Sequence, residues 1–252
     1  MRGWNRLRSA ALGLVLPAAV LPASVLLPGA GLRVQAAPQA AATQSAVVQE
    51  ILDGKELFID QQPARVQQRA LAPQLVSTGN SRGQLSFSSG AVGRLNRQSQ
   101  LRLGSRCFVL DRGQVLVSGK QSGCTRSARL SVRGTNYLLE VTEAGDTELA
   151  VLEGQVDVQP SRDGEPLPDQ PPTTVEAGQR LRLSPEGVVL TLLAIGSGDY
   201  RAILSGPLFE GFNLPLPAQA ALDAVLSNVL PALPVPSLPV GPSLPGFGFG
   251  LF

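Results

Sequence analysis

The chain has 252 residues, of which 43% are hydrophobic and only 4% aromatic, with 21 basic and 19 acidic residues and no histidine. That length allows one or two domains with a real core. The lack of histidine excludes Ser-His-Asp and Cys-His nucleophilic sites and the usual zinc ligand sets.

In chain order, Arg2, Arg6 and Arg8 precede an apolar stretch, Ala10 to Leu27, that Pro17 and Pro22 interrupt. Val34-Gln35-Ala36 then places small or medium residues at −3 and −1. This is the pattern of a secretory signal peptide over residues 1–36, cleaved after Ala36, and the prolines oppose reading it as a membrane-spanning helix. The expected location is therefore periplasmic or extracellular. The leader takes Arg2, Arg6, Arg8 and Arg33 with it and no acidic residue, so the balance becomes 17 basic against 19 acidic. No basic run follows, which argues against nucleic-acid binding.

Residues 37–45 read as a flexible mature N-terminus, with order beginning at Ala46. Asp53-Gly54, between Ala46–Leu52 and Lys55–Asp60, is a two-residue hairpin signal. Gln61 to Leu75 is polar and glutamine-rich around Pro63 and Pro73, a loop with room for one short strand. From Thr78 onward glycines recur about every ten residues, at 79, 90, 104, 113, 123, 134, 145 and 154. Between them apolar residues alternate: Leu85/Phe87, Leu101/Leu103, Val115/Val117, Leu130/Val132, Tyr137/Leu139/Val141, Val156/Val158 and Leu181/Leu183. Each is the pattern of a half-buried strand with one wet face, so residues 46–195 are expected to form an all-β domain.

Ser161 to Thr174 carries four prolines among acidic residues and reads as an exposed loop, with strands resuming at Thr174-Val175 and Val188 to Leu193. Residues 196–252 read as a linker, a short amphipathic helix at 218–230 and a Leu/Pro/Gly/Phe-rich tail. Leu222, Val225, Leu226, Val229 and Leu230 share one helical face, and Pro217 and Pro231 bracket it. The tail is a candidate for membrane or partner association.

Two cysteines, Cys107 and Cys124, form an even count in an exported chain and are read as a disulfide; two free thiols are the other reading. The carboxylates Glu140, Glu143, Asp146, Glu148, Glu153 and Asp157 could supply a glycosidase-like pair. Their spacing fits wet strand faces and a Glu143-Ala144-Gly145-Asp146 turn better. Asp157, Asp163, Glu165 and Asp169 are conceivable calcium ligands without a calcium-loop pattern. No catalytic, cofactor or metal site is expected.

Four blocks in order resemble the FecR domain family over roughly Val48 to Gly187. They are Leu75–Gly79 leading to Gly83–Gly90; Val92–Leu101; Val132-Arg133-Gly134-Thr135-Asn136-Tyr137; and Val151-Leu152-Glu153-Gly154-Gln155-Val156 with Ala177-Gly178-Gln179. Gly90, Gly134, Thr135, Tyr137, Glu153, Gly154 and Gly178 carry the match and read as fold residues. Ser89-Gly90 replaces the family's Asp-Gly turn, and the cysteine pair and the proline loop are additions. The resemblance implies a twisted stack of short strands, similar to a β-helix or solenoid, in an exported protein. The membrane-bound regulators of the family carry a cytoplasmic anti-sigma segment and a transmembrane helix where this sequence has the leader. The expected role is an exported, non-catalytic binding or scaffolding module of the bacterial envelope with a protein partner. The alternatives are signalling toward a sigma factor or TonB-type receptor, and cell-wall or carbohydrate binding.

Overall fold

The computed structural model describes residues 44–229. The expected leader, most of the flexible N-terminus and the tail from residue 230 lie outside that range. The described residues begin with β1 (Ser45–Leu52), β2 (Leu57–Ile59), β3 (Gln62–Pro63), β4 (Arg69–Leu71) and β5 (Leu75–Thr78). Next come β6 (Arg82–Phe87), β7 (Val92–Leu95), β8 (Gln100–Leu103) and the long β9 (Phe108–Gly119). The second half supplies β10 (Gly123–Cys124), β11 (Ala128–Val132), β12 (Thr135–Val141), β13 (Thr147–Glu153) and β14 (Gln155–Arg162). It ends with β15 (Glu165–Pro166), β16 (Thr173–Glu176), β17 (Gln179–Leu183), β18 (Val189–Ala194), α1 (Ser197–Leu204) and α2 (Gln219–Val229).

The fold is all-β, a stack of short strands joined into one sheet that folds into two layers. The first layer runs β4-β1-β6-β7-β9-β12-β13-β17-β18 and the second β3-β2-β5-β8-β9-β10-β11-β14-β16. Every pairing is antiparallel except β9 with β10. β9 belongs to both layers: Phe108 to Arg112 pair with β8, and Gly113 to Gly119 with β12. The strand changes layer at Gly113, whose φ is +81°. A Cβ there would lie 2.6 Å from Ser99 Cα, so both the conformation and the close approach require glycine.

The alternating residues read from the sequence fill the space between the layers. Leu85, Val115, Tyr137 and Leu181 of the first layer meet Leu101, Leu110, Val156 and Val175 of the second in one core cluster. The rings of Phe87 and Phe108 stack with centroids 5.7 Å apart, tying β6 to the second-layer half of β9.

Three expectations are corrected. Asp53-Gly54 does not close a hairpin: β1 pairs with β4 and β6, while β2 pairs with β3 and β5. The turn instead carries the chain from one layer to the other, and Arg82 and Arg97 hold the Asp53 carboxylate at 2.6 Å each. The tight hairpin turn nearby is Asp60-Gln61, where both residues have positive φ. Second, the outer face of the first layer is not wet in its middle. Val92, Leu116, Ala150 and Leu152 form a second apolar cluster with Ile195, Tyr200, Leu208, Phe209, Leu216, Leu222 and Leu226. Third, the segment read as a linker is a strap packed on that face, and it leads into α2, where the helix at 218–230 is expected. Leu222 and Leu226, the buried stripe of α2, face the sheet as the helical spacing dictates.

Candidate functional site

Polar side chains on the outer face of the first layer grip the strap mainly through its backbone. Arg94, 1% exposed on β7, donates to the carbonyls of Leu208 (3.2 Å) and Leu214 (2.7 Å) and to Gln84 Oε1 (2.8 Å). Arg82 donates to the carbonyls of Pro207 and Glu210. Both guanidinium groups lie over the Phe212 ring, 4.4 Å (Arg94) and 5.5 Å (Arg82) from its centroid. Burial lowers the Arg94 pKa to about 10, so the group stays charged at neutral pH. Glu50 accepts from the backbone N–H groups of Asn213 and Leu214, Ser118 from that of Ala218, and Asn136 donates to the Ala218 carbonyl. The sequence reading missed this grip, although the runs Val115-Leu116-Val117 and Leu149-Ala150-Val151-Leu152 leave no polar face and so signal burial on both sides.

The two layers have four outer edges, and three are protected. β3 contains Pro63, β4 is three residues long and is followed by Pro73, and β16 follows Pro171-Pro172 and ends in Glu176. Short length, proline and charge are the usual ways of blunting an edge. β18 is different. Its sequence Val-Leu-Thr-Leu-Leu-Ala has no charge and no proline, and every residue is exposed. Leu193 is 61% exposed and Leu190 50%. Among the described residues β18 pairs only with β17, so its other edge presents free backbone groups. A bulge at Leu190, between the pairs Arg182/Thr191 and Leu183/Val189, is its one irregularity. Ile195 N–H then bonds the Gly178 carbonyl at 2.7 Å and turns the chain into α1, whose Tyr200 is buried against the sheet.

Between α1 and the sheet lies a cavity of about 280 Å³ lined by Gln114, Glu140, Glu148, Arg180, Asp199 and Ile203, among others. Glu140 and Glu148 stand directly opposite on β12 and β13. Burial first, and then the Glu148 charge, push the Glu140 carboxyl above its usual range, while Gln114 donates to it at 3.0 Å.

The residues carrying the family pattern gather along one end of the first layer. The register places Val92 opposite Ser118, Thr135 opposite Gly119, Asn136 opposite Glu153 and Val151 opposite Gln179. The turns at Gly90, Gly134, Gly154 and Gly178 therefore lie in a row, all with positive φ. A Cβ on Gly154 would meet Thr135 Cγ2 at 2.6 Å. Glu153 accepts from Asn136 Nδ2 at 3.1 Å, and the buried Tyr137 hydroxyl donates to the Gln121 carbonyl at 2.7 Å. Cys107 and Cys124 form a disulfide, with Cα atoms 5.9 Å apart, that links the start of β9 to β10.

The other carboxylates are dispersed. Asp146 pairs with Arg182 at 2.6 Å, and Asp157 accepts from Thr174 at 2.8 Å and lies 3.8 Å from Arg133. Asp157, Asp163, Glu165 and Asp169 do not converge: among the described residues no three metal-ligating side chains come together. No helix among them is long and apolar enough to cross a membrane.

Residues 74–157 match the family described as FecR protein. No curated protein matches the chain. Two crystal structures of a candidate anti-sigma factor from Parabacteroides distasonis overlap it, at 16% and 15% identity and a TM-score of 0.42 each. Each overlap covers 52% of this chain and 65% or 64% of the other, just under two thirds of that protein's length.

Proposed function

We propose that this chain, which carries a FecR domain over residues 74–157, is an exported regulatory module of the bacterial envelope that works by protein contact and performs no catalytic step. The observation that carries the reading is β18, a six-residue edge, apolar on both faces, left open where the other three are blunted. An edge of this kind accepts an extended strand, which supplies backbone bonds while the side chains of both faces supply apolar contact. The family match favours a place in a signalling route, toward a sigma factor or a TonB-type receptor, over a passive scaffold. Carbohydrate or cell-wall binding fits less well. That chemistry needs exposed rings, and Phe87, Phe108, Tyr137 and Tyr200 are all spent on the interior.

The test is a photo-crosslinking residue at position 193 of the full chain, expressed in its native host. Discrete adducts from 193 that are absent from the control position Val66, an exposed apolar residue away from β18, are expected. Equal yields from both positions would refute the edge as the contact surface.

A further inference from the structure

We propose that the strand accepted by β18 is β18 of a second copy, so that two chains join their first layers edge to edge across a two-fold axis normal to the sheet. This rests on the reading of β18 as the contact edge and names its occupant. A strand that fits this edge must itself be extended, uncharged and apolar on both faces. Five of the eight exposed large hydrophobic residues of the described chain, Val188, Val189, Leu190, Leu192 and Leu193, lie on β18 or just before it. β18 is thus the complement that the chain itself offers, and self-complementary patches of this kind build isologous dimers.

The register can be worked out. In an antiparallel pair across such an axis, residues facing each other lie on the same side of the sheet, so the axis must pass midway between a residue and its own copy. The bulge at Leu190 disturbs the first half of the edge, leaving Thr191 to Ala194 as the regular stretch. Centring on Leu192 sets Thr191 opposite Leu193 of the other copy and Leu192 opposite itself. Leu192 pairs with Leu181, a fully buried core residue, so the self-contact extends the interior of each copy across the junction. Charge does not oppose the arrangement. The nearest like charges are Arg180 and Arg182 on β17. Three strand spacings, about 14 Å, would separate β17 from its counterpart, and screening acts within roughly 8–10 Å. Arg182 is in addition held by Asp146 and Glu148. A ladder this short falls at the small end of specific interfaces, below roughly 1,200 Å², so the dimer should be reversible and dependent on concentration.

The experiment is sedimentation velocity of the full exported chain across a wide concentration range, alongside Leu193→Lys and the control Leu71→Lys on the β4 edge. Dimer formation by wild type and the control, with at least a tenfold weaker association in Leu193→Lys, is expected. Leu192→Cys should also give a covalent dimer under mild oxidation while Leu71→Cys does not, a readout that survives if the lysine variant folds poorly. A monomer at every concentration, or a dimer indifferent to Leu193→Lys, would overturn self-pairing. The adducts from position 193 then separate the two ideas. A heterologous adduct of defined mass keeps the edge as a contact surface and discards the second copy, whereas no adduct discards both.

Discussion

Truncating Arg94 to alanine should detach the strap. The side chain is buried and satisfies three acceptors: the Leu208 and Leu214 carbonyls and Gln84 Oε1. Each orphaned buried acceptor costs about 1–3 kcal/mol, and the lost contact with Phe212 adds about 1–2 kcal/mol. Against this stands the burial of the guanidinium itself. Burial lowers its pKa to about 10, and at 1.36 kcal/mol per unit the relief on removing it is about 3 kcal/mol. The net loss is about 1–8 kcal/mol, a range that contains the roughly 3–5 kcal/mol seen when one partner of a buried charged network is deleted. Urea denaturation of wild type, Arg94→Ala and Arg94→Lys measures it, with lysine intermediate because it keeps charge but not the fork of donors. Hydrogen exchange should show residues 207–216 losing protection before β7 does. A loss below about 1 kcal/mol, or an even loss of protection across the molecule, would refute the claim that Arg94 anchors the strap.

Glu140→Gln should stabilise the protein at pH 7 by roughly 0.2–1 kcal/mol, the worth of removing like charges placed directly opposite on neighbouring strands. Because Glu140 titrates above its unfolded value, its cost is present at neutral pH and relieved as pH falls through the folded pKa. The melting difference should therefore vanish near pH 4, and a constant difference would count against the charge explanation. Reducing the Cys107–Cys124 bond, whose partners are 17 residues apart, should cost about 3 kcal/mol, read as a lower urea midpoint in reductant that Cys107→Ser/Cys124→Ser reproduces. Gly113→Ala should cost about 3 kcal/mol, since it sets a Cβ at positive φ against the Ser99 backbone; a neutral outcome would mean that β9 changes layer without needing glycine.

Much of the sandwich was legible because its inner residues keep a strict period of two: Leu85 and Phe87, Val115 and Val117, Val156 and Val158 all face the core. The turn glycines were equally legible, since positive φ at Gly134 and Gly154 is a local need written in one residue. What could not be read is tertiary. The Asp53-Gly54 signal describes a reversal of direction, but whether the chain returns beside itself or changes layer depends on the distant Arg82 and Arg97. Arg94 sits in a polar-looking run, and its burial follows only from a partner segment more than a hundred residues later. The run around Leu149 to Leu152 did carry a readable sign of double burial that alternation alone concealed. The open edge of β18 was visible as an apolar strand but not as a terminal one, because strand order is a property of the whole sheet.

Since β9 is woven through both sheets, the two layers of the described residues have no seam along which they could be divided. Cutting out the portion that matches the family, residues 74–157, would strip β6 of β1, β5 of β2, β13 of β17 and β14 of β16. What evolution recognises as a recurring pattern and what a test tube would accept as a freestanding object are different lengths of this polypeptide, and the longer one includes the strap.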